Sequence, residues 1–401
     1  MRLDQINLLD LDVFAAHGFP HDAFATLRRE APVYWHPEPR GSGFWVISKH
    51  ADVIHVSKRP LVFSSMQGIN LQEIAPEELP MIQTMMLGMD PPRHSKYRRL
   101  VSGGFTPRTI SRLEPHIRQI ARRIVEEIAR KGECEFVKEV AAELPLQVIA
   151  EFLGVPDEER GRIFDLSNRL IGFDDPEFQT SPEDGKIAAT EMWLYANQLA
   201  RSRRLNPQED IVSLLVNAEV EGEKLTEMEF NNFFLLLAVA GNETTRNLIS
   251  GGMLALLEHP RELRRLQTDP TLLPSAVEEM LRWVTPVAHF RRTATADTEI
   301  RGRPIAAGER VVMFYPSANR DEEVFRDPQR FDIGRTPNDH LSFGIGEHFC
   351  LGSPLARLEI RIMFEELLRR LPEIELVGPV RRLRSNFING IKSMPVRFSL
   401  D

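Results

Sequence analysis

The stretch Phe343-Gly-Ile-Gly-Glu-His-Phe-Cys-Leu-Gly352, followed by Leu355-Ala-Arg357, is the part of this chain whose reading decides its fold. It forms a glycine-punctuated loop that hands one cysteine to the start of a helix. Gly344 and Gly346 permit tight bends, and Gly352 leaves room for a flat body against the backbone. The first turn of the following helix turns its free N–H groups and positive dipole end toward Cys350. This arrangement lowers the thiol pKa and favours the thiolate, the form that ligates metal. A buried structural cysteine is the plainer alternative.

Upstream, helical patterns dominate. Ile117, Ile120, Ile124 and Ile128 keep the spacing of a one-faced amphipathic helix, and Leu144–Phe152 continues the pattern until Gly154-Val-Pro156 stops it. Thr226-x-x-Glu229 is a capping box that predicts a helix running to about His259, roughly 50 Å long at 1.5 Å per residue. Glu243 and Arg246 interrupt its apolar run, so it is a buried helix and not a membrane span. Further helices are predicted over 23–29, 273–283 and 355–371. Strands are predicted at 32–35 and 44–47, with short strands and turns over 285–331 and a loop over 61–92.

The 401 residues, 42% hydrophobic, suit a globular chain with a core large enough to enclose a ligand cavity. The net charge of −8 argues against nucleic acid as a partner. Two cysteines, Cys134 and Cys350, leave no disulfide framework and no multi-cysteine zinc or iron–sulfur site. Cys134 has no motif around it and reads as structural. Met1–Pro20 has neither the basic start nor the apolar run of a signal peptide or membrane anchor. A cytoplasmic protein is therefore expected. One thiolate without a CxxC partner suits a single axial bond to haem iron.

The spacing of Phe343, Gly346, Cys350, Gly352 and Ala356 resembles the haem-ligand loop of the cytochrome P450 family, and the likeness extends from about residue 25 to 398. The resemblance implies a mostly α fold with a minor β part, a single domain over 1–401, and haem b with Cys350 as its iron ligand. Phe343 then packs against the cysteine and Gly352 lies beside the haem. His348, His94, Arg98 and Arg292 serve the haem carboxylates, for which the bidentate arginine fork is suited. Glu279 and Arg282, at i and i+3, become members of a buried charge cluster. Its third member is an arginine of the downstream meander, Arg330 or a neighbour.

Ala240-Gly-Asn-Glu-Thr-Thr245 lies midway along the long helix. A glycine inside a helix costs about 1 kcal/mol relative to alanine, so Gly241 asks for a reason; close approach of a ligand beside Ala240 is one. Glu243 and Thr244 then supply an acid and a hydroxyl for proton delivery during oxygen activation. The alternative is Thr244 bonding back one turn and Glu243 pairing with Arg246.

The resemblance implies a monooxygenase, an oxidoreductase that hydroxylates an unactivated C–H bond of a hydrophobic substrate with dioxygen. It is similar to bacterial members acting on sterols, branched lipids and terpenoids. The alternatives are a haem-thiolate peroxygenase or isomerase, and a non-catalytic haem ligand-binding protein. By family position Met86, Leu87, Leu237, Val287, Phe290 and Ile388 line the substrate cavity. Electrons are expected from a separate ferredoxin and ferredoxin reductase, docking against Arg93, Lys96, Arg99, Arg357 and Arg361.

Overall fold

The computed structural model describes residues 1–39, 41–179, 181–219 and 222–399. Helices hold 54% of the chain and strands 12%, in line with the mostly α expectation. The strands that matter for the site form one five-stranded sheet: β1 (Val33–His36), β2 (Phe44–Ile47), β3 (Phe63–Ser64), β4 (His289–Ala294) and β5 (Arg310–Phe314). Their order is β1-β2-β5-β4-β3. The β2–β5 pair is parallel, with Trp45 opposite Val311, and the other pairings are antiparallel. Alternation along β4 places Phe290 and Arg292 on one face and His289 and Arg291 on the other.

The principal helices are α1 (His21–Glu30), α2 (Arg93–Ser102), α3 (Pro107–Ala129), α4 (Glu143–Leu153), α5 (Arg160–Ile171), α6 (Pro182–Leu205), α7 (Glu227–Glu258), α8 (Leu273–Val284) and α9 (Ser353–Arg370). The capping box at Thr226 and Glu229 is formed on both sides and opens α7, which runs 32 residues. Ile117, Ile120, Ile124 and Ile128 of α3 are all buried. Gly154 ends α4 in the left-handed region, at φ 75°. The predicted loop over 61–92 is less plain than expected, because it contains β3 and helical turns at Leu79–Ile82 and Met86–Gly88. Cys134 sits buried in a short strand, Glu133–Glu135, paired with the strand Pro395–Ser399.

Two large cores meet along α7. One takes Leu248–Leu256 of α7 with residues of α3, α4, α8 and α9; the other takes Phe230–Ala238 with residues of α2, α4, α5 and α6. Each well-buried Leu, Ile or Phe contributes about 1.5–3 kcal/mol to holding those helices together. The stretch 240–247 joins neither core. It is the polar middle of a helix clamped at both ends, and this suspension fixes its position.

Candidate functional site

The cysteine loop lies at the seam between the two cores: Phe343 packs against the first and Leu351 against the second. Its shape is held by backbone contacts. Cys350 N donates to Phe343 O at 2.9 Å, and Phe349 N to Gly346 O at 3.0 Å. Gly344 and Gly346 have φ of 68° and 77°, so both bends use conformations that favour glycine. A Cβ on Gly346 would stand 2.8 Å from Ser57 O, whereas one on Gly352 would meet nothing within 4 Å. Gly352 thus has an open side, as the loop reading required.

The helix N-terminus does act on the thiol, but it does not win. Burial pushes the Cys350 thiol up; N–H groups of Gly352 and Ser353 and the charges of Arg98 and Arg357 pull against it. The net direction is upward, which corrects the expectation that the helix end alone lowers this pKa. Desolvation of a small anion outweighs two N–H dipoles, so a metal cation is what would make the thiolate the stable form.

Two clamps fix the loop to its surroundings. From α2, Arg98 donates to Phe349 O at 2.6 Å and to Glu347 O at 3.3 Å. From α8, Glu278 accepts from Arg357 Nε at 2.7 Å and contacts His340 at 3.1 Å, while Arg357 stands over the Phe343 ring at 4.5 Å. Burial pushes the Glu278 carboxyl up, yet the hydrogen bonds from Arg357 and His340 and their charges hold it down at about 2. Its folded pKa is depressed, so its stabilisation is present above the usual carboxylate range and is lost as pH falls toward 2. Acid unfolding of Glu278→Gln is therefore expected to be flatter than that of the parent over that window. Parallel curves followed by circular dichroism would contradict this.

The charge cluster is assembled, and its third member is Arg335. Arg282 Nη2 donates to Glu279 Oε1 at 2.7 Å and Arg335 Nε to Glu279 Oε2 at 3.0 Å. Arg330 contributes only its carbonyl, which accepts from both arginines.

His94 and His348 face each other with ring centroids 4.2 Å apart. His348 Nε2 meets Ser65 Oγ at 3.2 Å; His94 is fully buried, and neither of its ring nitrogens has a partner. Burial and nearby arginines push both imidazoles down. Arg292 is buried, with one nitrogen on the Arg291 carbonyl at 2.8 Å. No carboxylate among the described residues lies within 4 Å of it. Buried polar groups without partners are costly and rare.

On α7, Ala240 is exposed and Thr244, one turn on, is half-buried. Thr244 Oγ1 donates back to Ala240 O at 2.7 Å. Glu243 is wholly buried and ion-paired with Arg246; Arg246 Nη1 in turn donates to Asn168 Oδ1 of α5 at 3.0 Å. Both local contacts weighed in the sequence reading are therefore formed. The reason given there for Gly241 needs correction. A Cβ on it would stand 2.8 Å from Ile149 Cδ1 of α4, so the glycine serves helix packing, and the open side belongs to Ala240.

The candidate substrate residues divide between two clusters. Val287, Phe290 and Ile388 pack with Phe173 and Phe387, and Val287 pairs with Ile388 in an isolated β-bridge. Met86 and Leu237 lie in the core around Phe233, and Leu87 is half-buried. Of the expected docking cations, Arg93, Lys96, Arg357 and Arg361 are each ion-paired within the chain, to Glu229, Glu223, Glu278 and Glu114. An incoming acidic surface would have to compete with those partners.

A half-buried thiol, a glycine with free space, an exposed alanine midway along α7, an unpartnered His94 and a buried Arg292 with no carboxylate beside it fit a planar iron group that carries carboxylates. The family model for cytochrome P450 matches residues 146–376. The chain belongs to the cytochrome P450 family. This P450 is 45% identical to a steroid C26-monooxygenase of Rhodococcus jostii over 97% of this chain and 84% of the relative. It is 43% identical to a methyl-branched lipid omega-hydroxylase of Mycobacterium tuberculosis, over 98% and 95%. A Mycobacterium marinum cytochrome P450 solved with pseudoionone superposes with TM-score 0.92 at 41% identity, covering 99% of both chains. The P450 is a haem-thiolate monooxygenase, and among its described residues no helix is long and apolar enough to cross a membrane.

The sequence reading missed Arg335, Asn338, Glu278 and Asn168. Arg335 and Asn338 meet Glu279 from 56 and 59 residues away. No local pattern points to them.

Proposed function

We propose that this P450 hydroxylates an unactivated C–H bond of a steroid-like, terpenoid-like or methyl-branched lipid substrate. It would work as one cytoplasmic domain supplied with electrons by a separate ferredoxin and its reductase. The observation that carries the reading is the Cys350 loop itself, open beside Gly352 and with its His348 against a fully buried, unpartnered His94. The lipid class rests on the names of the relatives, which share over 40% of its residues.

When bound, haem supplies the iron that activates dioxygen, one atom entering the substrate and the other leaving as water. The chain's own part begins with Cys350, whose thiolate would take the iron while the N–H groups of Gly352 and Ser353 offset its charge. His94, His348, Arg98 and Arg292 would hold the haem carboxylates, giving His94 the hydrogen-bond partner and Arg292 the carboxylate that each lacks. Ala240, exposed on α7, would leave room for dioxygen and substrate. Thr244 can turn its hydroxyl away from the Ala240 carbonyl to present a proton to the reaction. Glu243 refills that proton: burial raises its carboxyl pKa against the pull of the Arg246 charge, so it stays protonated to higher pH than an exposed glutamate. Val287, Phe290 and Ile388, with Met86, Leu87 and Leu237, would exclude water and orient an apolar substrate.

The test is a titration of the ferric holoenzyme with a branched-side-chain steroid and with a methyl-branched fatty acid. Turnover with ferredoxin, reductase and NAD(P)H follows. A spin-state shift and a hydroxylated product are expected from at least one class. No shift and no product from either would refute the reading, and product formed with peroxide but not with NAD(P)H would make the enzyme a peroxygenase. Glu243→Gln removes the proton source while keeping shape. It is expected to lower kcat about 10²-fold, the lower end of general-acid contributions, with the substrate-induced spin shift intact. A kcat within twofold of the parent would exclude Glu243 from the relay.

A further inference from the structure

Among the described residues, buried arginines follow a rule. Arg28, Arg246, Arg282 and Arg310 each hold a carboxylate, of Glu322, Glu243, Glu279 and Glu38. Arg291 is covered by the backbone carbonyls of Gln67 and Gln72. Arg292 donates to the Arg291 carbonyl and, on the reading above, would meet a haem carboxylate. The exception is Arg320, which is 5% exposed. Its Nη1 donates to Gln329 Oε1 at 2.8 Å and its guanidinium lies 3.9 Å from the centre of the Trp283 ring. No carboxylate among the described residues comes within 4 Å. Stacking on an indole offsets part of the desolvation of a guanidinium but leaves its charge uncancelled.

Arg320 lines a cavity of about 220 Å³ between residues 17–21, the C-terminal half of α7, α8 and the segment 382–391. A second arginine, Arg382, lines the same cavity, half-buried beside Gly18 and also without a carboxylate within 4 Å. His17 and His21 also line the cavity, and His21 Nδ1 is buried without a hydrogen-bond partner. The acid in the lining is Glu258, which is exposed and remains more than 4 Å from both guanidinium groups.

We propose that this cavity is a binding site for a small oxyanion of the phosphate class. Two arginines lining one cavity present the forked donors that tetrahedral and carboxylate oxygens take up. The field inside favours an anion: burial and the charges of Arg282 and Arg28 push Arg320 down to about 9, against the pull of Glu279, and burial and the charges of Arg320, Arg28 and Arg282 push His21 well down. The bound ion would tie the N-terminal segment to the segment 382–391, which carries Ile388, so its occupancy bears on the stability of the substrate side of the fold. The site is independent of the hydroxylase reading.

The experiment uses the haem-loaded enzyme. Its melting temperature and calorimetric titration are measured with inorganic phosphate and with glycerol 3-phosphate, ionic strength being held constant with sodium chloride. A saturable stabilisation by phosphate is expected, because a ligand that binds only the folded state raises its stability by mass action. The affinity should fall at least tenfold in Arg382→Gln, which removes no ion pair within the fold. Tighter binding of the ester would assign the site to a phosphorylated metabolite, and equal or weaker binding to the free ion. Identical melting in phosphate and chloride would overturn the proposal. So would equal affinity in Arg382→Gln, checked against unchanged circular dichroism and haem absorption.

Discussion

Cys350→Ser is expected to leave a folded protein whose reduced, carbon-monoxide-treated form no longer absorbs at the long-wavelength position of haem-thiolate proteins. Hydroxylation should fall by more than about 10³-fold, the scale on which removing one member of a catalytic unit is felt. Folding should survive because the loop's shape depends little on sulfur. The bends rest on Gly344 and Gly346, the loop is closed by Cys350 N to Phe343 O, and Arg98 clamps it through the carbonyls of Glu347 and Phe349. What the serine cannot replace is the soft anionic ligand. A thiol already pushed up by burial becomes a stable thiolate on an iron cation, whereas a serine hydroxyl is far harder to ionise in the same surroundings. A variant that retains the long-wavelength band would remove Cys350 from the haem. Gross loss of circular dichroism would show that the sulfur carries the loop.

Local signals and distant ones fared differently. The capping box at Thr226 and Glu229 and the glycine loop at 344–352 are short-range patterns whose physics is complete within a few residues. Thr244 to Ala240 and Glu243 to Arg246 are one helical turn apart, so both contacts could be weighed from spacing alone. Gly241 was misread because the atom that needs the space belongs to Ile149 on another helix. Arg335 was invisible for the same reason: it meets Glu279 across the meander, and Arg330 offers the same side chain at an equally plausible distance. The apolar candidates Met86, Leu237 and Ile388 show the limit on the substrate side. They are buried among other side chains, and a hydrophobic residue lining a cavity has the same sequence signature as one filling a core.

Glu279→Ala is expected to destabilise the fold by about 3–5 kcal/mol, the cost of leaving a buried charge without its partner. Typical domains hold only about 5–15 kcal/mol, so the loss is a large share of the total. Glu279 and Arg282 are both fully buried. The carboxylate also accepts from Asp332 N at 2.9 Å and Asn338 Nδ2 at 3.1 Å, so truncation removes five hydrogen bonds from four residues at once. Arg282 meanwhile donates to Asn319 O and Pro328 O, both at 2.9 Å, and pins the meander to α8. The Asn319 side chain continues to the cysteine loop through Ser342 Oγ at 2.9 Å and Leu341 N at 2.7 Å. Failure of the cluster should therefore appear as weakened haem retention together with a lower urea midpoint. If an uncompensated charge is the cause, the double variant Glu279→Met, Arg282→Met should recover much of the loss. Arg335 would still find the carbonyls of Arg326, Asp327 and Arg330. A double variant less stable than Glu279→Ala would mean that the geometry these side chains impose on the meander, and not the pairing of charge, is what the fold requires.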